Sequence, residues 1–478
     1  MPAPESAPNA PLTVSPAELR EVGHRVVDLL VDHWRELDAI APVRVGDPGE
    51  LRDRLADPVP ETGSPPGAVI EHLVAEVLPY VQHGDHPRFF ARIPGPSNPL
   101  GAVADYLAAG LNVFVGSWTG GSGPAALELT VIDWLREIFG FPEGSEGAFV
   151  SGGSVATLNA LAAARAQLLD GDHTGAVVYF SDQTHSAVTR GLRTLGFGED
   201  QARMLPTGSD LRLEPDALRA AVAEDRRAGR RPFCVVANAG TTNTGAIDPL
   251  GEIAALCRHE GLWLHVDAAY GGPAMISERG RALLAGLEQA DSVAVDPHKW
   301  LFQPYECGVV LVRRPGALAR AFALHPEYLA DVSGNDGEIN FFDRGVQLTR
   351  GSRALKLWLT IKSFGLTEIR AAIDRGLDLG AEAETLLREA GWRIVTPARL
   401  AIVSFRREDG SDAAQLDARH LDVVTEVLSG GVAAISSTVL HGRVVLRMCT
   451  INPRTTTEDL RRTVAELERA WKAVGPGR

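Results

Sequence analysis

From residue 147 to 315 the chain repeats one pattern: a short apolar run, a break rich in small polar residues, then a helical stretch. The runs at 147–150, 176–180, 233–237, 262–266, 292–295 and 308–312 are almost unbroken in apolar residues. Strands of a parallel sheet, covered on both faces, read this way. Helical spacing over 155–169, 215–228 and 248–260 supplies the crossovers between them. The pattern predicts an α/β domain built on a mostly parallel sheet.

Helical periodicity dominates before and after this region. Ser15-Pro16-Ala17-Glu18 carries a cap, a first-turn proline and a glutamate three residues on, and Leu19, Val22, Val26, Leu29, Leu30, Trp34 and Leu37 follow at helical spacing. This helix either packs on its own core or contacts a second subunit. Residues 1–14, rich in Pro and Ala, are expected to be disordered, 41–67 form a connector, and 68–81 are helical. His86 to Gly95 is too broken by Pro and Gly for a regular element, and a helix spans 124–139. A long helix opens near Arg353, and strands at 392–395, 400–405 and 443–449 then alternate with helices at 412–429 and 457–473. The expected division is an N-terminal helical segment (1–85), a large α/β domain (86–350) and a small α+β domain (351–478).

Composition narrows the function classes. A net charge of −14 leaves no basic face for a nucleic-acid partner. No run approaches the roughly 18 apolar residues of a membrane span, and the N-terminus has no secretory signature. Cys234, Cys257, Cys307 and Cys449 show neither metal-ligand spacing nor a disulfide framework. A cytoplasmic location is the expectation.

Candidate chemistry gathers at the carboxyl ends of the strands, where open α/β sheets bind ligands. Ser151-Gly152-Gly153-Ser154 precedes a helix, whose free amides suit a phosphate. Ser181 to His185, Asn238 to Gly245, and Asp267-Ala268-Ala269-Tyr270 follow three other strands. Asp296-Pro297-His298-Lys299-Trp300 follows the fifth, and a lysine in partly apolar surroundings favours its free, nucleophilic amine. Each stretch alone has a bland reading as a turn, a cap or a structural histidine. Together a phosphate cradle, an imidazole, a carboxylate and an amine suit pyridoxal 5′-phosphate (PLP).

Four motifs then carry a resemblance: Ser181-Asp182-Gln183-Thr184-His185-Ser186, Leu262 through Tyr270, Asp296 through Trp300, and Arg353-Ala354-Leu355-Lys356-Leu357-Trp358. The chain resembles the group II PLP-dependent decarboxylases, which act on aromatic L-amino acids, histidine and glutamate. The resemblance implies the aspartate aminotransferase-like fold (fold type I) and a homodimer with active sites at the subunit interface. It implies that Lys299 forms the aldimine with the cofactor and that Asp267 holds the ring nitrogen protonated. His185 would stack on one ring face with Ala269 against the other, and Gly153, Ser154 and His298 would contact the phosphate. Thr241 or Thr242 would lie near the ring hydroxyl or His185. Asp296 stands where animal relatives have asparagine, and is expected to point away or be paired.

The implied substrate pocket comprises Phe90, Arg92, Pro94, Gly116, Trp118 and Phe341. Arg92-Ile93-Pro94 replaces the family's Tyr-Phe-Pro, and Gly116 stands where aromatic-amino-acid enzymes tend to have phenylalanine. Those enzymes also carry a loop tyrosine that protonates the α-carbon. Residues 331–344 contain no tyrosine, and Phe341 is taken as the matching position. Relatives with phenylalanine there release an aldehyde, ammonia and peroxide. The sequence therefore leaves three activities open: decarboxylation of an L-amino acid, aromatic by default; the oxidative aldehyde-forming variant; and transamination. A non-catalytic relative is disfavoured by the presence of Lys299, Asp267 and His185.

Overall fold

The computed structural model describes residues 11–324, 327 and 337–475. Five helices precede the first strand: α1 (Pro16–Glu36), α2 (Pro48–Arg54), α3 (Pro66–Glu76), α4 (Pro99–Gly110) and α5 (Trp118–Ile138). The large sheet and its crossovers follow as β1 (Glu146–Val150), α6 (Gly153–Leu168), β2 (Ala176–Ser181), α7 (Ala187–Thr194), β3 (Ala202–Leu205), α8 (Pro215–Arg227) and β4 (Arg231–Asn238). Then come α9 (Leu250–Glu260), β5 (Trp263–Asp267), α10 (Glu278–Leu283), β6 (Ser292–Val295), β7 (Gly308–Val312) and α11 (Ala317–Phe322).

The strands lie in the order β1-β7-β6-β5-β4-β2-β3. Neighbours from β6 to β3 pair parallel, whereas β7 is antiparallel to both β1 and β6. All six expected strands form. The seventh, β3, escaped the apolar pattern because Ala-Arg-Met-Leu is short and only partly covered at the sheet edge. Strands β1, β2, β6 and β7 are buried along their whole length, so the near-continuous apolar runs have the expected physical cause.

The long helix α12 (Ala354–Glu389) bends at Gly365, whose φ of 72° favours glycine. Beyond it a four-stranded antiparallel sheet, β8 (Arg393–Arg399), β9 (Ile402–Arg406), β10 (Ser436–Leu440) and β11 (Arg443–Cys449), packs with α13 (Ala413–Ser429) and α14 (Thr457–Val474). The Phe89–Ala91 stretch, expected at the head of the large domain, packs against this smaller unit instead. Phe90 N donates to Ala434 O at 2.7 Å, and the Phe90 ring joins the core around Trp392 and Phe405.

Two N-terminal features differ from expectation. Helix α5 begins at Trp118 because Ser117 Oγ caps it by accepting from Gly120 N, and it kinks at Gly121 shortly before Pro124. Helix α1 begins as expected, with Glu18 N donating to Ser15 Oγ, yet none of its residues is buried. Its face of Leu19, Val26, Val27, Leu30 and Val31 lies exposed beside an equally exposed Val103, Tyr106 and Leu107 on α4. Packing on its own core does not account for α1.

Candidate active site

A cavity of about 360 Å³ opens at the carboxyl ends of the parallel strands, within the ordinary range of ligand pockets. All ten residues expected to hold the cofactor line it: Gly153, Ser154, His185, Thr241, Thr242, Asp267, Ala269, Asp296, His298 and Lys299. The topology explains the convergence. His185 follows β2, the two threonines follow β4, Asp267 ends β5, and Lys299 follows β6.

Gly153 and Ser154 open α6, whose first amides have no intrahelical acceptor and whose cap, Gly152, offers no side chain. A Cβ on Gly153 would lie 2.9 Å from that of Ala269 and 3.0 Å from Asp296 Oδ2. Glycine therefore leaves open a cradle that any side chain would fill.

Lys299 Nζ pairs with Asp296 Oδ2 at 2.9 Å, and Asp296 is buried. Burial opposes the charge on Lys299, but Asp296 and then Asp267 outweigh it and raise the amine above its ordinary value. This corrects the expectation of a lysine released toward its free amine by apolar surroundings. The carboxylate that was expected to turn away or be paired is paired, and its partner is Lys299. His298 Nδ1 accepts from Cys307 N at 3.1 Å, which makes Nε2 the donor, 3.5 Å from Asp296 Oδ2. Burial pushes His298 below its ordinary value despite Asp296. Asp296 Oδ1 is buried with no hydrogen-bond partner among the described residues.

A prediction follows for cofactor loading. Asp296→Asn removes the main pull on the Lys299 proton, so the free amine persists at lower pH. The pH profile of the rate at which apoprotein gains visible absorbance with added PLP should shift to lower pH. An unchanged pH profile would show that Asp296 does not set the state of Lys299.

Asp267 Oδ1 accepts from Ala269 N at 3.1 Å, which fixes the carboxylate at the cavity wall. Behind it on β5, His265 is fully buried and bonded through Nδ1 to Ser292 Oγ at 2.9 Å. Burial pushes His265 down to about 4 against the pull of Asp267. His185 accepts from Ala187 N through Nδ1 at 3.2 Å, leaving Nε2 as its donor nitrogen. The two threonines, indistinguishable in sequence, differ in space. Thr241 is buried, its hydroxyl tied to Thr244 Oγ1 and Ala246 N within its own turn. Thr242 is half-buried and makes no such bond among the described residues.

The cavity also recruits Asn238, Tyr270 and Glu306, none of which was assigned a role from sequence. Asn238 is the first polar residue after an apolar run, a signal that could have marked it; its Nδ2 donates to Thr184 Oγ1 and Asp248 Oδ2. Tyr270 stacks on Trp300 with centroids 5.5 Å apart. Glu306 had no local signal, because it reaches the cavity only through the turn that sends β7 back beside β6.

The expected substrate pocket fares differently: none of its six residues lines the cavity. Phe90 is a core residue of the small sheet, and Pro94 is buried. Arg92 is exposed with φ of 53°, bonded to Gln82 Oε1 and to no carboxylate among the described residues. Gly116 is buried, and a Cβ there would strike the Phe114 ring and the Leu348 carbonyl. Trp118 N donates to Asn340 Oδ1 at the start of α5. Phe341 is only 2% exposed, in a 3-10 turn (Phe341–Arg344) under the Arg350 guanidinium at 4.8 Å. Arg350 is itself held by the buried Glu128 at 2.6 and 2.8 Å. Phe341 is therefore packed within its own chain, away from the residues that line the cavity.

A half-buried amine for an aldehyde, open helix amides for a phosphate and a fixed carboxylate for a ring nitrogen fit PLP, and define a PLP-dependent enzyme of fold type I. The comparisons agree. The pyridoxal-dependent decarboxylase conserved domain matches residues 48–408. An aromatic-L-amino-acid decarboxylase of Bacillus atrophaeus is 46% identical over 453 residues, 94% of each chain. A phenylacetaldehyde synthase of Arabidopsis thaliana is 33% identical, covering 96% of this chain and 95% of its own. The crystal structure of Oryza sativa TDC with PLP and tryptamine superposes with a TM-score of 0.92 at 28% identity, over 97% of this chain and 99% of that one. The chain belongs to the pyridoxal-dependent decarboxylase family: it is a PLP-dependent carboxy-lyase of amino acids.

Proposed function

We propose that the chain decarboxylates an aromatic L-amino acid to its amine and carbon dioxide, as a cytoplasmic homodimer. The observation that carries the reading is the convergence of all ten cofactor residues on one cavity, in a chain nearly half identical to an aromatic-L-amino-acid decarboxylase. Lys299 supplies the amine for the aldehyde, and Asp267 keeps a proton on the ring nitrogen. PLP, when bound, would supply an acceptor for the electron pair left by carbon dioxide. His185 would cover one ring face, with Ala269 against the other. The Gly153 and Ser154 amides would hold the phosphate together with His298, and Thr242 would offer a hydroxyl near the ring.

The exposed apolar faces of α1 and α4 support the homodimer: a helix with no buried residue needs a partner surface. Four free, buried cysteines are in keeping with a reducing compartment. Among the described residues no helix is long and apolar enough to cross a membrane. The division at residues 86 and 351 is retained as a working division, with the Phe89–Ala91 stretch assigned to the small unit.

An aldehyde-forming activity is the second reading: Phe341 is taken as the position of the family's loop tyrosine, and phenylalanine has no acid proton to give the α-carbon.

The test is carbon dioxide release across a panel of L-amino acids with oxygen uptake recorded in the same vessel. Release with an amine product, no oxygen uptake and preference for an aromatic substrate is expected. Stoichiometric oxygen uptake would establish the aldehyde-forming reaction. Loss of PLP absorbance without carbon dioxide would establish a transaminase.

A further inference from the structure

Outside the cofactor cavity, His33 near the end of α1 meets His83 and Asp85 from the segment between α3 and α4. One donor atom from each lies within 4.8 Å of the other two. His33 Nε2 is 3.9 Å from Asp85 Oδ2, and the two imidazoles lie 5.0 Å apart at 39°. All three side chains are half-buried. Two of them stand on anchored backbone: His83 N donates to Pro42 O, and Asn452 Nδ2 donates to Asp85 O, each at 3.0 Å. The third comes from the helix that buries none of its own residues.

We propose that His33, His83 and Asp85 bind a first-row divalent transition ion such as Zn²⁺, stapling α1 to the body of the protein. Two imidazole nitrogens and one carboxylate suit such an ion, whereas Ca²⁺ and Mg²⁺ take oxygen donors. Bonds of about 2.0–2.2 Å place tetrahedral donors roughly 3.3 Å apart, so closure needs side-chain rotation of little more than an ångström. The neighbouring His86 is not available, since Nδ1 accepts from Arg88 N and Nε2 faces Ile40 O. Arg454 Nη1, 3.5 Å from Asp85 Oδ2, is the cation that now faces this carboxylate. A bound ion would displace it.

The test titrates chelator-stripped, PLP-loaded enzyme with Zn²⁺ by calorimetry, and with Co²⁺ by its visible absorbance. One ion per chain is expected, with affinity falling by on the order of 100-fold in His33→Ala and in His83→Ala. Arg454→Gln should bind more tightly, because it removes the competing cation. Unchanged PLP absorbance and turnover in the histidine variants would show that they fold and that the site is separate from catalysis. Zn²⁺ retained undiminished by the His33→Ala, His83→Ala double variant, or no ion bound by the wild type, would overturn the proposal.

Discussion

Lys299→Ala is expected to lose the visible absorbance of bound PLP and to lower turnover by on the order of 10⁴-fold or more. Among the described residues no other amine lines the cavity to take its place at the aldehyde. A second effect separates this site from an incidental surface lysine. Asp296 is only 2% exposed, and its Oδ1 already lacks a partner. Removing Lys299 leaves its other oxygen, among the described residues, facing His298 at 3.5 Å. Stranding one member of a buried pair costs about 3–5 kcal/mol, so the Lys299→Ala apoprotein should unfold at lower denaturant than the wild-type apoprotein. Adding Asp296→Asn should restore much of that stability and none of the activity. If the single variant keeps its colour, or if the double variant is no more stable than the single, the Lys299–Asp296 pair does not have the role assigned here.

Sequence and structure agree wherever a local pattern has a local cause. Apolar runs became strands buried on both faces, and polar clusters after those runs became the cavity wall, because a parallel sheet brings all its strand ends to one side. That rule located Gly153, His185, Asp267 and Lys299 without coordinates. It could not report the charge on Lys299, which depends on Asp296 folding back three residues to pair with it. Nor could it separate Thr241 from Thr242, whose difference lies in one turn's hydrogen bonds. The substrate pocket was the least legible part. Phe90 and Phe341 are aromatic and adjoin recognisable motifs, yet one serves the small sheet and the other packs beneath Arg350. An apolar residue carries no mark in sequence of which surface it fills. The sequence showed α1 as an amphipathic helix, and only the structure leaves its apolar face uncovered within the chain.

Phe341→Tyr is expected to cost stability and leave the amine product unchanged. The ring is 2% exposed and lies 4.8 Å from the Arg350 guanidinium, so an added hydroxyl is buried at a cost of about 1–3 kcal/mol, read as unfolding at lower denaturant. Phe341 is the position taken as matching the loop tyrosine that delivers a proton to the α-carbon in the relatives this chain resembles. A phenol can donate that proton and a phenyl ring cannot. In an amine-forming wild type another acid already serves, and the new phenol changes no product. In an aldehyde-forming wild type the overall change is amino acid, oxygen and water giving aldehyde, carbon dioxide, ammonia and hydrogen peroxide, which balances. There the variant would raise amine formation by roughly 10²-fold, as expected for gain of a positioned general acid, while oxygen uptake falls. That second outcome would overturn the amine-forming reading in favour of the oxidative one.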